Sequence, residues 1–293
     1  MINQITKDRI TSLYAQYAKL ATDNKNAIRE IAIAEIPEMV YNSNAIENST
    51  LTLKDTEDIL LRDTIRKDHD IREIYEAKNL AKITQSLLDS NSALLSIELI
   101  LEFHKTLLTG IRDDWSGRFR SGKEWVRVGA HIGASPDFVP GLMSDLLNNY
   151  HESGDRYFLE NIAWFHAEFE TIHPFNDGNG RLGRALINQQ LTAIGYPPII
   201  IPNKGKHTSY YPAFDSYRIT NKYDDFTELF AGLLIESLYK RITLLSAPKI
   251  ITVSAWAKAN SVAGNIAANK ASRGTIPAFR MREKWMIAAD FTE

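Results

Sequence analysis

The residues best suited to chemistry lie in one stretch of twelve, His173-Pro174-Phe175-Asn176-Asp177-Gly178-Asn179-Gly180-Arg181-Leu182-Gly183-Arg184. Gly178 and Gly180 allow backbone N–H groups to turn toward one point, and a helix that begins near Gly180 adds partial positive charge there. Arg181 and Arg184 stand three apart in its first turn, where two cations oppose the helix dipole. A polyanionic ligand offsets that cost, so the stretch predicts a phosphate site.

Two further residues of the stretch, Asp177 and His173, indicate what happens to the phosphate. A carboxylate among these positive groups makes sense if a cation such as Mg²⁺ bridges it to the phosphates. Pro174 disfavours helical geometry at the residue before it, so the helix that precedes the stretch should end at Ile172. An imidazole is largely neutral at neutral pH and can accept a proton from an attacking hydroxyl. We therefore predict a nucleotide–metal site with a general base.

The stretch also resembles the signature of the Fic family, His-Pro-Phe-x-Asp/Glu-Gly-Asn-Gly-Arg-x-x-Arg, at every specified position. Residues 127–132 resemble the family's flap hairpin, which docks the target segment, and residues 195–211 resemble the region after its core helix. Most Fic enzymes transfer AMP from ATP to a Ser, Thr or Tyr hydroxyl of a protein. The resemblance thus implies a protein adenylyltransferase that uses ATP and Mg²⁺ and modifies a target protein or itself.

The resemblance also implies a role for each motif residue. His173 would be the general base, Asp177 the Mg²⁺ ligand, Arg181 a diphosphate contact and Arg184 the γ-phosphate contact. The implied nucleotide-binding residues are Gly178, Asn179, Gly180, Arg181, Leu182, Gly183, Arg184, Val128, Gly129, Ala130, His131, Tyr210 and Tyr211. The hairpin at 125–131 would hold the target by adding a strand to its backbone.

A second pattern, Ser43-x-x-x-Glu47-Asn48, lies far upstream of the first. On a helix, Ser43 and Glu47 are four apart and face the same way. The pattern resembles the inhibitory motif (Ser/Thr)-x-x-x-Glu-(Gly/Asn) of Fic proteins, with Asn48 as the permitted variant at its last position. We predict that Glu47 pairs with Arg184 and takes the guanidinium that the γ-phosphate needs. Whether Glu47 also serves in the removal of AMP is left open.

The elements that must position these motifs are mostly helices. Apolar residues recur at three- and four-residue steps, the period of a helix with one buried face, over residues 71–88, 96–108, 138–150, 158–172, 181–194 and 226–245. Thr52 and Asp55 fit a capping box, which predicts a helix start there and a separate short helix over 40–48. Glycine-rich alternation around Trp125 predicts a hairpin. The fold class is all-α: a Fic-fold helical bundle with a short β-hairpin flap.

The C-terminal part of the chain predicts a small separate domain. Ser246-Ala247-Pro248 should end a long helix, and residues 252–267 are typical of a helix, a turn and a second helix. Residues 273–280 and 284–287 predict two strands of a wing. From residue 249 onward, seven basic residues stand against three acidic ones, a net charge of +4. This resembles excisionase-type or winged-helix modules, and the alternatives are DNA binding and a protein-docking or dimerising role.

These signals divide the chain into three predicted regions. Residues 1–93 would be an N-terminal helical region with the inhibitory helix, 94–247 the Fic catalytic core, and 249–293 the winged-helix-like domain. The boundary between the second and third regions follows from the helix stop at Pro248. Oligomer formation is left open by these patterns.

Composition sets the broad class of the protein. The 293 residues are 44% hydrophobic and 24% charged, which is typical of a globular enzyme. The absence of cysteine excludes disulfide frameworks, thiol catalysis, zinc fingers and iron–sulfur clusters. No apolar run approaches the roughly 18 residues of a membrane span, and the start lacks a signal peptide. With a net charge of -2, the expectation is a cytoplasmic enzyme without overall attraction to nucleic acid.

Three alternatives compete with AMP transfer. His166, Glu170 and His173 lie four and three apart and would form a metal site of a hydrolase if they shared one helix face. A DNA-binding regulator could use its Fic body to sense a nucleotide without turnover. A Fic enzyme could also move UMP, phosphate or phosphocholine, because a phosphate cradle does not identify the base.

Overall fold

The computed structural model describes residues 2–65, 68–89, 94–129 and 131–293. Within those ranges, no helix combines the length and the apolar character needed to cross a bilayer. The chain forms two compact units that are discontinuous in sequence. The first comprises Glu35–Tyr196 and Ile200–Thr227, and the second comprises Ile2–Ala34, Pro197–Ile199 and Glu228–Glu293. The three continuous regions expected from the sequence therefore stay a prediction.

Helices dominate the described chain, as the all-α expectation required. Their bounds are α1 Gln4–Asp23, α2 Lys25–Ile46, α3 Leu53–Leu61, α4 Ile71–Asp89, α5 Ile97–Leu108, α6 Val139–His151, α7 Phe158–Ile172, α8 Asn179–Ala193, α9 Tyr211–Thr220, α10 Asp224–Ser246, α11 Val253–Ala259 and α12 Gly264–Ser272. The six helices predicted from periodicity are confirmed to within two residues at each end. The predicted ends at Ile172 and Ser246 are also confirmed.

The core of the first unit forms around α7 and α8, which bury residues on more than one face. Phe165, Phe169, Leu182 and Leu186 are at most 1% exposed and share one cluster with residues of α3, α4, α5 and α6. Burial of side chains of this size stabilises the fold by about 1.5–3 kcal/mol each. Helices α7 and α8 are thus fixed along most of their length, and so is the turn that joins them.

Of the two predictions made for the chain N-terminal to α4, one is confirmed and the other is wrong. The capping box is confirmed, since Thr52 Oγ1 accepts from the Asp55 N–H and Asp55 accepts from the Thr52 N–H. The separate short helix over 40–48 is wrong: this segment is the end of α2, a single helix of 22 residues that contains Pro37. Proline removes one backbone donor, but buried Ile36 and Val40 on either side keep the helix packed through it.

The predicted hairpin is present and very short. Strands β1 (Arg127–Val128) and β2 (His131–Ile132) pair antiparallel, with Val128 opposite His131. Val128 and Ile132 expose about half of their surface. Gly133, directly after β2, approaches the motif closely, because a Cβ there would lie 3.1 Å from Cβ of His173.

The second unit ends in a small sheet that carries two helices. Strands β3 (Ile250–Thr252), β4 (Phe279–Met281) and β5 (Lys284–Ala288) pair antiparallel in the order β3-β5-β4, and buried Trp256 lies in the core between sheet and helices. The helix, turn and helix predicted for 252–267 are present as α11 and α12.

The predicted strands of this unit are confirmed only in part. The strand expected over 273–280 begins only at Phe279, because Gly274 is left-handed and Pro277 lacks a backbone donor. Strand β3 was missed, since three residues are too few to show a period. The DNA-binding interpretation of this unit stays a prediction.

Candidate active site

The turn between α7 and α8 sets the geometry of the site. His173 caps α7 in the left-handed conformation, at φ 52° and ψ 64°, and donates its N–H to Phe169 O at 2.9 Å. Gly178 caps α8 at φ 83°, and a Cβ there would lie 2.9 Å from Leu107. A glycine is therefore required at this position by both backbone and space. The prediction that His173 leaves the helix is confirmed.

Asn179 closes the turn on itself. Its Oδ1 accepts from the Phe175 N–H at 2.9 Å, and its Nδ2 donates to Phe175 O at 2.8 Å. The side chain is 2% exposed, so these two bonds occupy an amide that was expected to face the nucleotide. The first backbone N–H groups of α8 are left pointing out of the turn, where a helix N-terminus attracts anions.

A cavity of about 720 Å³ lies in front of this turn. Most of the residues named from the sequence line it: Glu47, Asn48, Val128, Gly129, His173, Asp177, Gly178, Asn179, Gly180, Arg181, Arg184, Tyr210 and Tyr211. A base, an acid and two cations thus share one space large enough for a small-molecule ligand.

Four of the expected nucleotide-binding residues lie elsewhere or are not described. Leu182 is fully buried in the apolar core, and Gly183 faces the side chains of α7. The Nε2 atom of His131 lies 2.8 Å from Thr171 O, which holds the ring against the end of α7. All three are among the described residues, yet none lines the cavity. Ala130 lies outside the described residues.

Arg184 is held by the end of α2. Its side chain is 6% exposed, and its Nη2 donates to Glu47 Oε1 at 2.9 Å. Nε donates to Ser43 Oγ at 2.9 Å and Nη2 also donates to Ser43 O at 2.8 Å. Burial acts to lower the pKa of Arg184, but the charge of Glu47 and the neighbouring Tyr210 raise it overall, so the guanidinium stays charged. The predicted contact between Glu47 and Arg184 is confirmed.

The Glu47 carboxylate lies directly over the first turn of α8. A Cβ at Gly180 would come within 2.3 Å of Glu47 Oε1 and 3.1 Å of Arg184 Nη1. Gly180 therefore leaves the space that Glu47 fills. The carboxylate thus lies where the sequence predicted a phosphate, beside a helix N-terminus and an arginine, both of which attract an anion.

The other arginine is held by the motif and by α4. Arg181 Nη2 lies 3.0 Å from Asp177 Oδ1, and Nη1 lies 2.8 Å from Glu76 Oε1. Arg72 contacts the second oxygen of Asp177 and also pairs with Glu76 at 2.9 Å. Arg72 and Glu76 were not among the residues predicted for the site. Their spacing of four on α4 indicates a helical ion pair, but nothing in it points to this cavity.

The acidic residue of the motif fits the predicted metal. Mg²⁺ in proteins is usually held by one or two carboxylates together with substrate phosphates, so Asp177 alone is a sufficient protein ligand. Arg181 Nε is buried without a hydrogen-bond partner. A buried donor of this kind is available to bind a phosphate oxygen.

The described residues give no support to the alternative metal site of a hydrolase. Among the described residues, no group of three or more His, Cys, Asp or Glu is arranged to hold a metal ion. His166 and Glu170 are buried within α7, and the left-handed backbone turns His173 off that helix.

Comparisons with known proteins agree with this geometry. The Fic/DOC family matches residues 94–191. The chain is similar to protein adenylyltransferase Fic of Drosophila willistoni, with 31% identity over 221 residues that cover 72% of this chain and 43% of that protein. It is 34% identical to protein adenylyltransferase Fic of Nematostella vectensis over 192 residues, which cover 64% of this chain and 43% of that protein. The chain thus spans less than half the length of these curated relatives.

A solved structure gives the same result for the fold. The crystal structure of a Fic domain containing signaling protein from Bacteroides thetaiotaomicron superposes with a TM-score of 0.71 at 26% identity, over 81% of this chain and 96% of that one. The expected Fic fold with its predominance of helices is confirmed. Residues 94–191 of the chain therefore form a domain of the Fic/DOC family.

Proposed function

We propose that this protein transfers AMP from ATP to a Ser, Thr or Tyr hydroxyl of a protein, either a separate target or itself. The observation that carries the proposal is that His173, the N-terminus of α8 and two arginines line one cavity. The names of the curated relatives support the same activity. A cytoplasmic location is part of the proposal.

The residues of the cavity divide the reaction among them. His173 accepts the proton of the incoming hydroxyl, whose oxygen bonds to the α-phosphorus as the bond to the pyrophosphate oxygen breaks. Arg181, Arg184 and the α8 N-terminus would hold the phosphates in line for this displacement. Asp177 would hold Mg²⁺, which when bound neutralises charge on the leaving pyrophosphate. Arg72 and Glu76, now paired with Asp177 and Arg181, must yield part of these contacts when the nucleotide binds.

The hairpin supplies a place for the target segment. Strand β1 pairs on one side with β2, so backbone groups on its other side are available for an added strand. Val128 and Gly129 line the cavity, which brings an extended segment on this hairpin close to His173. We infer that a hydroxyl on such a segment is the acceptor.

Glu47 is proposed to inhibit this reaction from within the chain. Its carboxylate takes Arg184 and covers Gly180, so the γ-phosphate cannot reach both groups while Glu47 remains in place. Ser43 contributes two further bonds to the same guanidinium. Competition of this kind lowers activity without altering the base or the acid of the motif.

A second candidate function, DNA binding, concerns the second unit only. The order helix, turn, helix and hairpin favours it, as does the net charge of +4 over 249–293. However, Arg280 is paired with Glu236 and Lys270 with Glu293, which reduces the charge available to phosphates. Retention on duplex DNA at two salt concentrations tests this role, since phosphate contacts weaken as salt increases. Failure to be retained at either salt concentration would favour protein docking.

The main proposal is tested with ATP labelled at the α or at the γ phosphate, in the presence of Mg²⁺ and cell lysate. Glu47→Gly should place α label, but not γ label, on protein. The double variant Glu47→Gly/His173→Asn should lose this transfer by about 10²–10⁴-fold, because the base is removed while asparagine tolerates the left-handed backbone.

The matched control replaces a histidine outside the cavity. His151, at the end of α6, bonds to Leu95 O, and Glu47→Gly/His151→Asn should keep full transfer. Label from the γ position alone would indicate phosphate transfer, and activity that survives loss of His173 would contradict the proposed base. Release of AMP from labelled protein by the wild type only would reveal hydrolytic removal of AMP, with water taking the place of the protein hydroxyl on phosphorus.

A further inference from the structure

A buried carboxylate lies behind the ring of His173. Nδ1 of His173 is 3.5 Å from Glu170 Oε2 and 3.4 Å from Glu170 O. We propose that Glu170 is a positioning residue that keeps the His173 proton on Nδ1 and so leaves Nε2 free to accept the proton of the acceptor hydroxyl. The inference rests on the proposed AMP transfer, because it concerns how the base of that reaction is prepared.

Glu170 is well placed for this task. It lies in the last turn of α7, three residues before His173, and is 7% exposed. Burial acts to raise the pKa of Glu170, but the hydrogen bond from His173 and nearby positive charge, including that of Arg184, lower it overall. A carboxylate that stays ionised accepts from Nδ1–H and cannot donate to Nδ1, so it selects one tautomer.

Helix α8 leaves room for the carboxylate. A Cβ at Gly183 would lie 2.5 Å from Glu170 Oε1 and 3.1 Å from His166 Cε1. The family signature leaves position 183 unspecified, so its glycine is a property of this chain's packing rather than of the phosphate cradle. Glu170 Oε1 is buried without a hydrogen-bond partner, a costly arrangement that the paired Oε2 must offset.

Other charged and titratable groups surround the pair. Arg184 approaches from α8, Tyr210 from the π-helical segment Lys206–Tyr210, and His166 from α7 itself. Arg120 donates to His173 O at 2.7 Å and thereby fixes the backbone rather than the ring. His131 on β2 interacts with both His173 and Glu170 through its charge. Among the described residues, Glu170 is the acidic side chain recorded within ion-pair distance of Nδ1.

The prediction is a loss of turnover without a loss of nucleotide binding. In the Glu47→Gly background, Glu170→Gln should lower kcat by about tenfold or more, up to the ~10⁴-fold that a wrong histidine tautomer costs in a catalytic triad. The KM for ATP should change little, because Glu170 does not hold phosphates. Glu168→Gln is the matched control: Glu168 is on the same helix and accepts from the Tyr217 hydroxyl, and its variant should keep kcat.

A spectroscopic measurement tests the inference without turnover. Nitrogen-15 NMR of His173, assigned by comparison with His173→Asn, should show one neutral tautomer, with the proton on Nδ1, in the Glu47→Gly protein. In Glu47→Gly/Glu170→Gln it should show a mixture of the two neutral tautomers. A proton on Nε2 in the parent would overturn the inference, as would an unchanged kcat in folded Glu170→Gln. Suppose that neither Glu47→Gly nor Glu47→Gly/Glu170→Gln transfers AMP, but the His173 tautomer changes between them as expected. The proposed function then fails, while the role of Glu170 in orienting the ring stands.

Discussion

The two arginines of the first turn of α8 are equally buried but are held by different parts of the chain. Arg181 and Arg184 are 4% and 6% exposed. The acidic partners of Arg181, Glu76 and Asp177, are 13% and 22% exposed and are joined by Arg72 into one network. The acidic partner of Arg184, Glu47, is 42% exposed and comes from the end of α2.

This difference distinguishes the Arg181 side of the cavity, whose acidic partners are fixed, from the Arg184 side, whose acidic partner can move away. The ion pair of a carboxylate that is already half in water is screened by solvent and costs little to break, whereas separating Arg181 from its two more buried acids would leave buried charges without a partner. The Arg181 side also contains the proposed metal ligand, so Asp177 and Arg181 must stay in place there even when Arg72 and Glu76 yield contacts to the nucleotide. The Arg184 side is therefore the place where activity can be adjusted.

A buried histidine contacts each side of the cavity, and protonation of these two histidines at acid pH should destabilise the fold. Nε2 of His104 lies 3.1 Å from Asp177 O, and Nε2 of His166 lies 2.9 Å from the Tyr210 hydroxyl. Burial lowers the pKa of each to about 4. Because the unfolded chain binds these protons first, the free energy of unfolding should fall from pH 7 to pH 5 by about 2 kcal/mol for each histidine.

Denaturant unfolding at a series of pH values checks this expectation. His104→Gln and His166→Gln should each be less stable at pH 7 but should lose less stability on acidification. His151→Gln, which changes an exposed histidine, should keep the wild-type slope. If all three variants keep that slope, the two buried rings do not determine the acid sensitivity.

The next largest effect should follow the removal of Glu47. Glu47→Gly frees Arg184 and the space over Gly180, and a coupling of about 1–3 kcal/mol corresponds to a rise of about 5- to 150-fold in AMP transfer. The rate of α-label incorporation measures it. Glu30→Gly, at an exposed position of the same helix, should leave the rate unchanged; an equal rise there would attribute the effect to a weakened helix.

A smaller rise should follow the loss of the bonds that hold the end of α2. Lys206 Nζ donates to Ala45 O, Ile46 O and Asn48 Oδ1 at 3.1, 3.2 and 2.8 Å. Lys206→Ala should therefore raise AMP transfer by about two- to tenfold, at about 0.5–1.5 kcal/mol for the hydrogen bonds lost. Exposed Lys204→Ala is the control. A Lys206→Ala rate at or below wild type would show that Glu47 needs no help to stay in place.

The smallest effect should be on the Arg181 side. Arg72 occupies one oxygen of Asp177 but is 48% exposed, so its ion pair is worth about 0.2–1 kcal/mol. Arg72→Ala should lower the Mg²⁺ concentration for half-maximal transfer by up to about fivefold. Titration of Mg²⁺ in the Glu47→Gly background measures the change. A higher Mg²⁺ requirement would mean that Arg72 holds Asp177 in its working position.

Local signals in the sequence predicted local structure well. Pro174 predicted the end of α7, and Thr52 with Asp55 predicted the start of α3, because helix ends depend on residues close in sequence. Helix α8 begins at Asn179, one residue before the start predicted near Gly180. The error at 40–48 arose because a helix start at Thr52 does not show where the preceding helix begins. That helix runs from Lys25 and continues through Pro37, beside buried Ile36 and Val40.

Contacts between residues far apart in the sequence were predicted poorly. The pairing of Glu47 with Arg184 was predicted from a family resemblance, since no spacing rule joins residues 137 apart. Arg72, Glu76 and Lys206 were missed because their positions depend on how whole helices pack. The same holds for Glu170, which the spacing offered as a metal ligand and the structure places behind the base.

The paired bonds between Phe175 and Asn179 have a thermodynamic consequence for ligand entry. Since the turn is already closed by its own amide, a nucleotide that arrives does not have to order the loop and loses little affinity to conformational entropy. Association should thus be fast and rigid-body in character. Control of such a preformed site has to come from a competitor that fills it, and a glutamate on a neighbouring helix is an internal competitor of that kind.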